Sequence, residues 1–566
     1  MHHLNRYSKR FGILVFALVL LTVPHSFTAA QPATSPNANL GQSIDEILTQ
    51  AYKPNEPGAA VIVVKDGKVV FRKGYGMANL ELGVPVQPDM VFRLGSITKQ
   101  FTAVAILMLV EQGKLSLDDD LTKFLPDYPT KGQKITITHL LTHTSGVKPY
   151  TSLPEWLAMW RKDMPLNELI ALFKDKPMDF APGERYAYNN SAYVLLGAII
   201  EKASGQSYAD FVEKNIFAPL GMTHSFYDNT ARVFPRRVNG YSKPKDEWLN
   251  AAYLSMTQPH AAGSLASSVD DLALWDAALY TDKLVKQETL KRAWTSAKLN
   301  SGRLTGYGFG WSLNSYEGHP TIEHGGGING FSTHAVRMPD DRVYVAVLTN
   351  KDTGGPGPGR ITFRIAALAS GKPFRDPTEI TLTPEALDKY VGVYQFTDKA
   401  EASIRREGDK LFITLPGGGK TEITPSSETA FFVKESRNRL TFARNAAGAV
   451  TGFTASGSGP IQEAAKIDKP LPAEKQAVTV DAAVLDSYVG EYQVGPNLMI
   501  TITKEGNKLF AQVIGQPRIE LHPESTTKFF VKEAPIQIEF VTDASGKASG
   551  LTLYQGGQQI QAKRIK

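Results

Sequence analysis

The sequence contains no cysteine at any of its 566 positions. This absence excludes disulfide bonds, thiolate catalysis, and zinc or iron–sulfur sites built on cysteine. The chain also has little excess of positive over negative charge, because the formal net charge is only +6 and no basic block is present. Nucleic acid is therefore not an expected partner. The 48 glycines and 34 prolines are too few and too scattered for a collagen-like or low-complexity chain.

The amino-terminal stretch is predicted to be a targeting segment. Positive residues precede the apolar run Phe11–Val23, which is shorter than the ~20 residues needed to span hydrocarbon. Small residues at Thr28–Ala30 offer a cleavage site before Gln31. No cysteine follows, so a lipid-anchored lipoprotein is excluded. We expect residues 1–30 to be a signal peptide and the mature protein to be periplasmic or secreted. Membrane attachment is expected only if the segment stays uncleaved.

Residues 31–375 are predicted to form one domain of mixed helices and strands. Asn39–Tyr52 has the pattern of an amphipathic helix, and Ala59–Val64 and Lys68–Tyr75 read as two strands joined by a tight turn. Later strands are predicted at Phe309–Leu313, Ser332–Met338 and Val343–Leu348. Strands at both ends with helices between them predict an antiparallel sheet whose first and last strands meet, with a helical region inserted.

The chain beyond Phe374 contains an internal repeat. Three pairs of segments match at one constant offset: Leu387–Gly392 with Leu485–Gly490, Glu407–Phe412 with Glu505–Phe510, and Phe431–Glu435 with Phe529–Glu533. Their short alternating segments predict two copies of a small all-β, barrel-like domain. We place the copies at residues 376–469 and 480–566, with a linker at 470–479. Neither copy carries a catalytic pattern.

A Ser-x-x-Lys tetrad, Ser96–Lys99, opens the predicted apolar helix Phe101–Val110. The same pattern also begins at Ser145, Ser242 and Ser525, but without such a helix behind it. A helix start favours negative charge, and a lysine one turn on lies on the same face. A serine hydroxyl becomes a nucleophile only when a neighbour takes its proton. The alternative is an ordinary serine helix cap with a solvated lysine.

Two further segments carry chemistry in the same domain. Tyr188-x-Asn190 precedes the predicted helix Ala192–Ile200, which the asparagine could simply cap. Glu323–Gly327 is a histidine-led glycine run between strand-like segments. It is either a hairpin that needs positive φ or a strand edge stripped of side chains, where a substrate can approach the backbone.

In this order, the three segments resemble the motifs of the serine β-lactamase and penicillin-binding superfamily. The similar branch contains class C β-lactamases, D-alanyl carboxypeptidases, D-aminopeptidases and related esterases. The flanks Phe92–Gly95, His139–Gly146 and Gly330–Ser332 strengthen the resemblance, which covers about Asn39–Ala369. It implies an α/β mixed (α+β) fold of the β-lactamase/transpeptidase type. Such a fold has an antiparallel sheet with a helical region and the active site between them.

The resemblance implies a catalytic group of three residues. Ser96 would be the acylated nucleophile, and Lys99 would share or hold its proton. Tyr188 would act as base towards Ser96 and later towards water. Because the ordinary tyrosine pKa is ~10, this role needs nearby positive charge at neutral pH.

The same resemblance implies the substrate-binding groups. Asn190 would hydrogen-bond a substrate amide or orient the lysine, and His324 and Gly326 would line the substrate site. The backbone N–H groups of Ser96 and Gly327 would form the oxyanion hole, in which one lost donor typically costs ~10²–10³ in rate.

His324 stands where β-lactamases usually carry a lysine suited to the carboxylate of the drug. Histidine titrates near ~6.5 and is mostly neutral at pH 7, so efficient β-lactam hydrolysis is not expected. Glu323 could raise the pKa of His324, but adjacent strand residues point to opposite faces.

His139 and His143 are four residues apart, as in a zinc-binding helix. No glutamate in the metalloprotease pattern and no third ligand accompany them. We therefore expect no metal and no cofactor.

The sequence as a whole predicts an exported serine hydrolase working through an acyl-enzyme on a small ester, amide or D-amino-acid peptide. Alternatives are β-lactam hydrolysis, a penicillin-binding or sensor protein that is acylated with little turnover, and an inactive scaffold. The repeats more weakly resemble lipocalin-like domains of some serine peptidases, through Tyr-x-Gly-x-Tyr patterns at Tyr390 and Tyr488. They could narrow access to the site, bind a ligand, mediate oligomer assembly or act as a spacer.

Overall fold

The computed structural model describes residues 36–566, apart from 245, 356, 376, 397–399, 416–418, 435, 458–460, 474–476, 496–497, 514–517, 533–535, 544–545 and 556–557. The predicted signal peptide, residues 1–30, lies outside the described residues. Within the described part of the chain, every helix is too short or too polar to cross a bilayer.

An antiparallel six-stranded sheet forms the centre of the first domain. Its strands are β1 (Ala59–Lys65), β2 (Lys68–Tyr75), β3 (Ser312–Tyr316), β4 (His319–Ile328), β5 (Phe331–Met338) and β6 (Val343–Thr349). Their order across the sheet is β3-β4-β5-β6-β1-β2. Ala59 of β1 lies opposite Thr349 of β6, so the predicted pairing between the first and last strands is confirmed.

Two strands depart from the prediction. β3 begins at Ser312, three residues after the predicted start at Phe309, and β4 was predicted only as one of two alternatives. The glycine run is part of this strand, and the chain turns only at Asn329 and Gly330, where Gly330 has a φ of 79°. The hairpin interpretation of the run is therefore wrong. Periodicity could not place this strand, because three consecutive glycines have no side chains with which to alternate.

Helices cover both faces of the sheet. On one face lie α1 (Pro36–Ala51) and α5 (Pro358–Ala369). The other face packs against the helical region, whose longest helices are α2 (Thr98–Glu111), α3 (Asn190–Ser204) and α4 (Val269–Ala278). All of β1 from Ala59 to Val64 is buried because neither face of this strand meets water.

Shorter elements complete the helical region and join it to the sheet. The helices are Ile137–Leu141, Pro154–Met159, Leu166–Ala171, Tyr208–Val212, Ala218–Leu220 and Gln287–Ala293, with tighter turns at Gly95–Ile97, Leu121–Lys123, Tyr150–Ser152 and His260–Ala262 and a wider turn at Glu213–Phe217. The small strands are Met77–Asn79, Val84–Pro85, Phe92–Arg93, Phe226–Tyr227, Tyr241–Ser242, Leu249–Asn250 and Leu265–Ser267.

Each repeat forms a closed barrel of eight antiparallel strands preceded by a short helix, which confirms the barrel-like prediction. The first copy comprises the helix Pro384–Asp388 and the strands Gly392–Phe396, Glu401–Glu407, Lys410–Thr414, Lys420–Pro425, Ala430–Phe432, Arg439–Arg444, Val450–Ser456 and Gln462–Ile467. The second comprises the helix Ala482–Tyr488 and the strands Gly490–Gly495, Leu498–Glu505, Lys508–Val513, Ile519–Pro523, Lys528–Phe530, Ile536–Thr542, Ala548–Gln555 and Gln558–Arg564.

The tyrosine pattern of the repeats links the short helix to the first strand of each barrel. The Tyr394 hydroxyl donates to the carbonyl oxygen of Tyr390 at 2.6 Å, and Tyr492 donates to Tyr488 at 2.7 Å. All four rings are buried and pack with phenylalanines inside the barrel. Buried side chains therefore occupy the barrel interiors, as is usual for small barrels, and contacts with the rest of the chain are made from the outer surfaces.

Candidate active site

Ser96 and Lys99 meet where the sheet joins the helical region. Ser96 lies in the tight turn Gly95–Ile97 that leads into α2, and Lys99 is the second residue of that helix. The spacing of three residues brings the two side chains together, with Lys99 Nζ 3.0 Å from Ser96 Oγ. Lys99 is fully buried, which excludes the alternative of a solvated lysine behind a serine cap.

The Lys99 amine has two further partners, and both are acceptors. Its Nζ lies 2.9 Å from Asn190 Oδ1 and 2.8 Å from the carbonyl oxygen of Ala262. Burial lowers the pKa of Lys99 well below its ordinary value. A neutral amine has two hydrogens and one lone pair. With both hydrogens donated to these acceptors, the lone pair faces the Ser96 hydroxyl.

Two neighbouring asparagines have different roles, one as the cap of α3 and the other as a partner of Lys99. Asn189 caps α3, since its Oδ1 accepts from the backbone N–H of Ala192 at 3.1 Å. Asn190, the first residue of the helix, is therefore available to contact Lys99. The capping role considered for Asn190 thus belongs to its neighbour.

Tyr188 completes the group around the nucleophile. Its hydroxyl forms a hydrogen bond with Ser96, and Lys99 Nζ lies 4.7 Å from the centre of its ring. The side chain is 41% exposed, although its ring packs against the buried side chains of His143 and Lys99. Burial raises the pKa of Tyr188 above its ordinary value, and the hydrogen bond from Ser96 offsets only part of this rise.

His324 faces the site from β4 and is held in one tautomer. Its Nδ1 lies 2.6 Å from the carbonyl oxygen of Gly325, which can only accept, so Nδ1 carries the hydrogen. Its Nε2 therefore accepts from the Tyr307 hydroxyl at 2.8 Å. Burial, and secondarily the nearby Lys99, lower the pKa of His324 to about 3. The residue is neutral at physiological pH.

Sequence reasoning missed the contributions of His143 and Tyr307. The His143 ring packs 4.3 Å from that of Tyr188 and 4.7 Å from that of Tyr307, and its Nδ1 accepts from the backbone N–H of Asn189 at 3.0 Å. His139 instead accepts from the Thr136 N–H, so the two histidines do not share a ligand-binding face. The glycines at 308 and 310 were a sequence signal that the segment around Tyr307 lies close to other backbone, because Gly310 touches the backbone of Lys99.

The glycines of the site permit two backbones to approach each other. A Cβ on Gly326 would lie 1.9 Å from the carbonyl oxygen of Leu94, and one on Gly95 would lie 2.9 Å from the Gly327 nitrogen. Gly326 is thus needed for packing of the nucleophile turn against β4. Gly327 has open space beside it, because a Cβ added there would meet no atom of the described residues within 4 Å.

The predicted residues occupy one region of the structure. Hydrogen bonds join Tyr188 to Ser96, Ser96 to Lys99 and Lys99 to Asn190. His324 and the glycine run form the facing strand edge, against which the Ser96 turn packs. This arrangement supplies a hydroxyl, an adjacent amine that can take its proton, and a backbone edge beside both. Such a set of groups suits acyl transfer to serine.

Comparison with known proteins agrees with this chemistry. The sequence profile of the family described as Beta-lactamase matches residues 44–369. The chain belongs to the Beta-lactamase family. It is accordingly a serine hydrolase related to the penicillin-binding proteins. A second profile, described as a domain of unknown function (DUF3471), matches residues 376–469 and again 474–564.

Individual relatives extend over much of the chain. Penicillin-binding protein 4* of Bacillus subtilis (strain 168) is 31% identical over 425 residues, which cover 69% of this chain and 91% of that protein. A D-aminopeptidase of Gluconobacter oxydans (strain 621H) is 28% identical, covering 58% of this chain and 62% of the relative. The structure of the octameric penicillin-binding protein homologue from Pyrococcus abyssi matches with a TM-score of 0.53 and 27% identity, covering 75% of this chain and 99% of that one.

Substitutions at adjacent glycines test the packing of the site. We expect Gly326→Ala to lower both the melting temperature and the hydrolase activity, because its methyl group would collide with Leu94. Gly327→Ala is the matched control and is expected to keep the wild-type melting temperature. Its activity is expected to fall mainly through KM for bulky substrates. Equal melting temperatures for the two variants, measured by calorimetry, would contradict this account of the strand.

Proposed function

We propose that the chain is an exported serine hydrolase that acts through an acyl-enzyme at Ser96 on small esters, amides or D-amino-acid peptides. The contact set of Lys99 carries the proposal, because it leaves the amine lone pair facing the serine hydroxyl. The name of the related D-aminopeptidase supports the choice of peptide substrates.

In this mechanism Lys99 takes the proton of Ser96 as the hydroxyl attacks the substrate carbonyl. The backbone N–H groups of Ser96 and Gly327 stabilise the resulting oxyanion. Tyr188 keeps its proton in the resting site because burial raises its pKa. The base is therefore Lys99 in the acylation step. Tyr188 gives its phenolic proton directly to the leaving group and takes a proton back from the Lys99 ammonium, so that both groups end the step neutral. This assignment revises the base role that the resemblance implied for Tyr188.

The neutral state of His324 favours substrates that have no carboxylate next to this residue. A neutral imidazole, whose acceptor nitrogen is already bonded to Tyr307, offers no cation to a β-lactam carboxylate. Burial also favours the neutral form of Lys99, because it lowers the pKa of the amine. The strand edge thus favours neutral ester and amide groups over the carboxylate-bearing drugs.

Activity-based labelling of fractionated cells tests both nucleophile and export. We expect a fluorophosphonate probe to label a protein outside the cytoplasm whose first residue is Gln31, and Ser96→Ala to abolish the labelling. Ser145→Ala, which changes another Ser-x-x-Lys serine, is the control that should still label. Labelling of Ser96→Ala would disprove the nucleophile, and labelled protein confined to the cytoplasm would disprove export.

The pH dependence of ester hydrolysis follows from the lysine. The neutral amine is the active form, so kcat/KM should rise with pH through the lowered pKa of Lys99 and then stay level. The histidines of the site do not produce this rise, since burial lowers the pKa of both His143 and His324 below the ordinary histidine value. A fall in kcat/KM between pH 7 and pH 9 would be the wrong sign for a lysine base.

Exchange of His324 tests the substrate class. We expect His324→Lys to raise the ratio of nitrocefin to p-nitrophenyl acetate hydrolysis by roughly 10- to 150-fold, because a charged hydrogen bond to the carboxylate is worth about 1.5–3 kcal/mol. His324→Gln removes the imidazole without adding charge and should leave the ratio near that of the wild type. An unchanged ratio in His324→Lys would show that this position does not select substrate charge.

A further inference from the structure

The back of the glycine-bearing strand contains a buried carboxylate. Glu323 immediately precedes His324 and points to the opposite face of the sheet, with only 2% of its surface exposed. Its Oε1 accepts from Arg437 Nη2 at 2.7 Å and also from the Asn314 amide. His334 Nε2 lies 3.4 Å from the other carboxylate oxygen.

Arg437 reaches this carboxylate from a different domain. It lies between the strands Ala430–Phe432 and Arg439–Arg444 of the first barrel, 114 positions along the chain from Glu323. The guanidinium also stacks 4.4 Å from the ring centre of Phe363 on α5. Its side chain is only 19% exposed, so this ion pair is held in an interdomain contact rather than in solvent.

The internal repeat indicates that Arg437 is not needed to build the barrel. The two copies agree through Phe431–Glu435 and Phe529–Glu533. Two residues later the first copy has Arg437 and the second has Pro535. Both copies nevertheless close with eight strands. The arginine is therefore a feature of the first copy alone, whereas the second copy contacts the hydrolase domain through its first two strands, which lie against the helix Pro154–Met159.

Glu323 is the last residue of β4 that pairs with a neighbouring strand on both sides. Ser312 of β3 pairs with Glu323, and no described residue of β3 pairs with β4 beyond that point. From His324 to Ile328, β4 pairs with β5 alone. Whatever fixes Glu323 therefore limits how the following residues, including the Gly327 N–H, can shift or rotate.

We propose that the first barrel is a positioning element of the active site, in which Arg437, through Glu323, fixes the strand that carries His324 and the oxyanion-hole glycine. This inference rests on the proposed function. Neither side chain touches the reacting atoms. A buried carboxylate that loses its cation must move or admit water, and a small displacement of the oxyanion donor has a large effect on rate.

The test measures ester hydrolysis and fluorophosphonate labelling in the full-length protein. We expect Arg437→Met to lower kcat and the labelling rate at least tenfold, with KM changed less than threefold. Arg437→Lys restores a cation and should recover most of the rate. The double variant Glu323→Gln with Arg437→Met removes both charges and should exceed Arg437→Met alone. Arg406→Met, which breaks the exposed pair with Asp388 in the same barrel, is the matched control and should behave as wild type.

Each outcome separates this proposal from the one on which it rests. Arg437→Met with the kinetics of Arg406→Met, or a double variant no better than Arg437→Met, would overturn the positioning role while leaving Ser96 chemistry intact. Labelling that persists in Ser96→Ala would instead overturn the proposed function. Melting temperatures of all variants show whether a lost rate reflects unfolding. If Arg437→Met is unfolded, the comparison of Arg437→Lys with the double variant still decides the question.

Discussion

The burial of one lysine amine is the interaction on which the site depends. Lys99 is enclosed by α2, α3 and the turn at Ala262, and no carboxylate pairs with it among the described residues. A buried ammonium without a counter-ion is costly, so the protein favours the neutral amine. That form can accept the proton of Ser96. Desolvation also favours the protonated phenol of Tyr188 and the neutral imidazole of His324.

Close backbone contact gives this chemistry its geometry. The turn carrying Ser96 packs against β4 so tightly that Gly95 and Gly326 have no room for a side chain. The contact spans more than two hundred residues of sequence and joins the helical region to the sheet. Helices on both faces of the sheet and the pairing of β1 with β6 hold the two parts in place. The first barrel adds a contact from behind, through Arg437.

Several parts of this arrangement could be predicted from the sequence, and others could not. The apolar helix behind Ser96 and the strands β1, β2 and β6 were predicted closely, because burial on one or both faces leaves a clear pattern. The glycine run lacks that pattern, so the sequence alone allows either a hairpin or a strand edge there. Asn189 and Asn190 are neighbours of the same residue type, and only the helix geometry shows which one caps α3. The spacing of His143 from His139 is visible in the sequence, but the contact of His143 with Tyr188 depends on tertiary packing.

The sequence by itself determined the domain class, the repeat and the order of the three catalytic segments, since these depend on local periodicity and on residue types at short spacing. Only the tertiary structure decided the protonation of the site, because burial and the surrounding acceptors set the charge of Lys99 and the tautomer of His324. It also decided that Glu323 pairs with an arginine from the first barrel. Such contacts join residues far apart in the chain, and no local pattern encodes which distant partner a buried charge will meet.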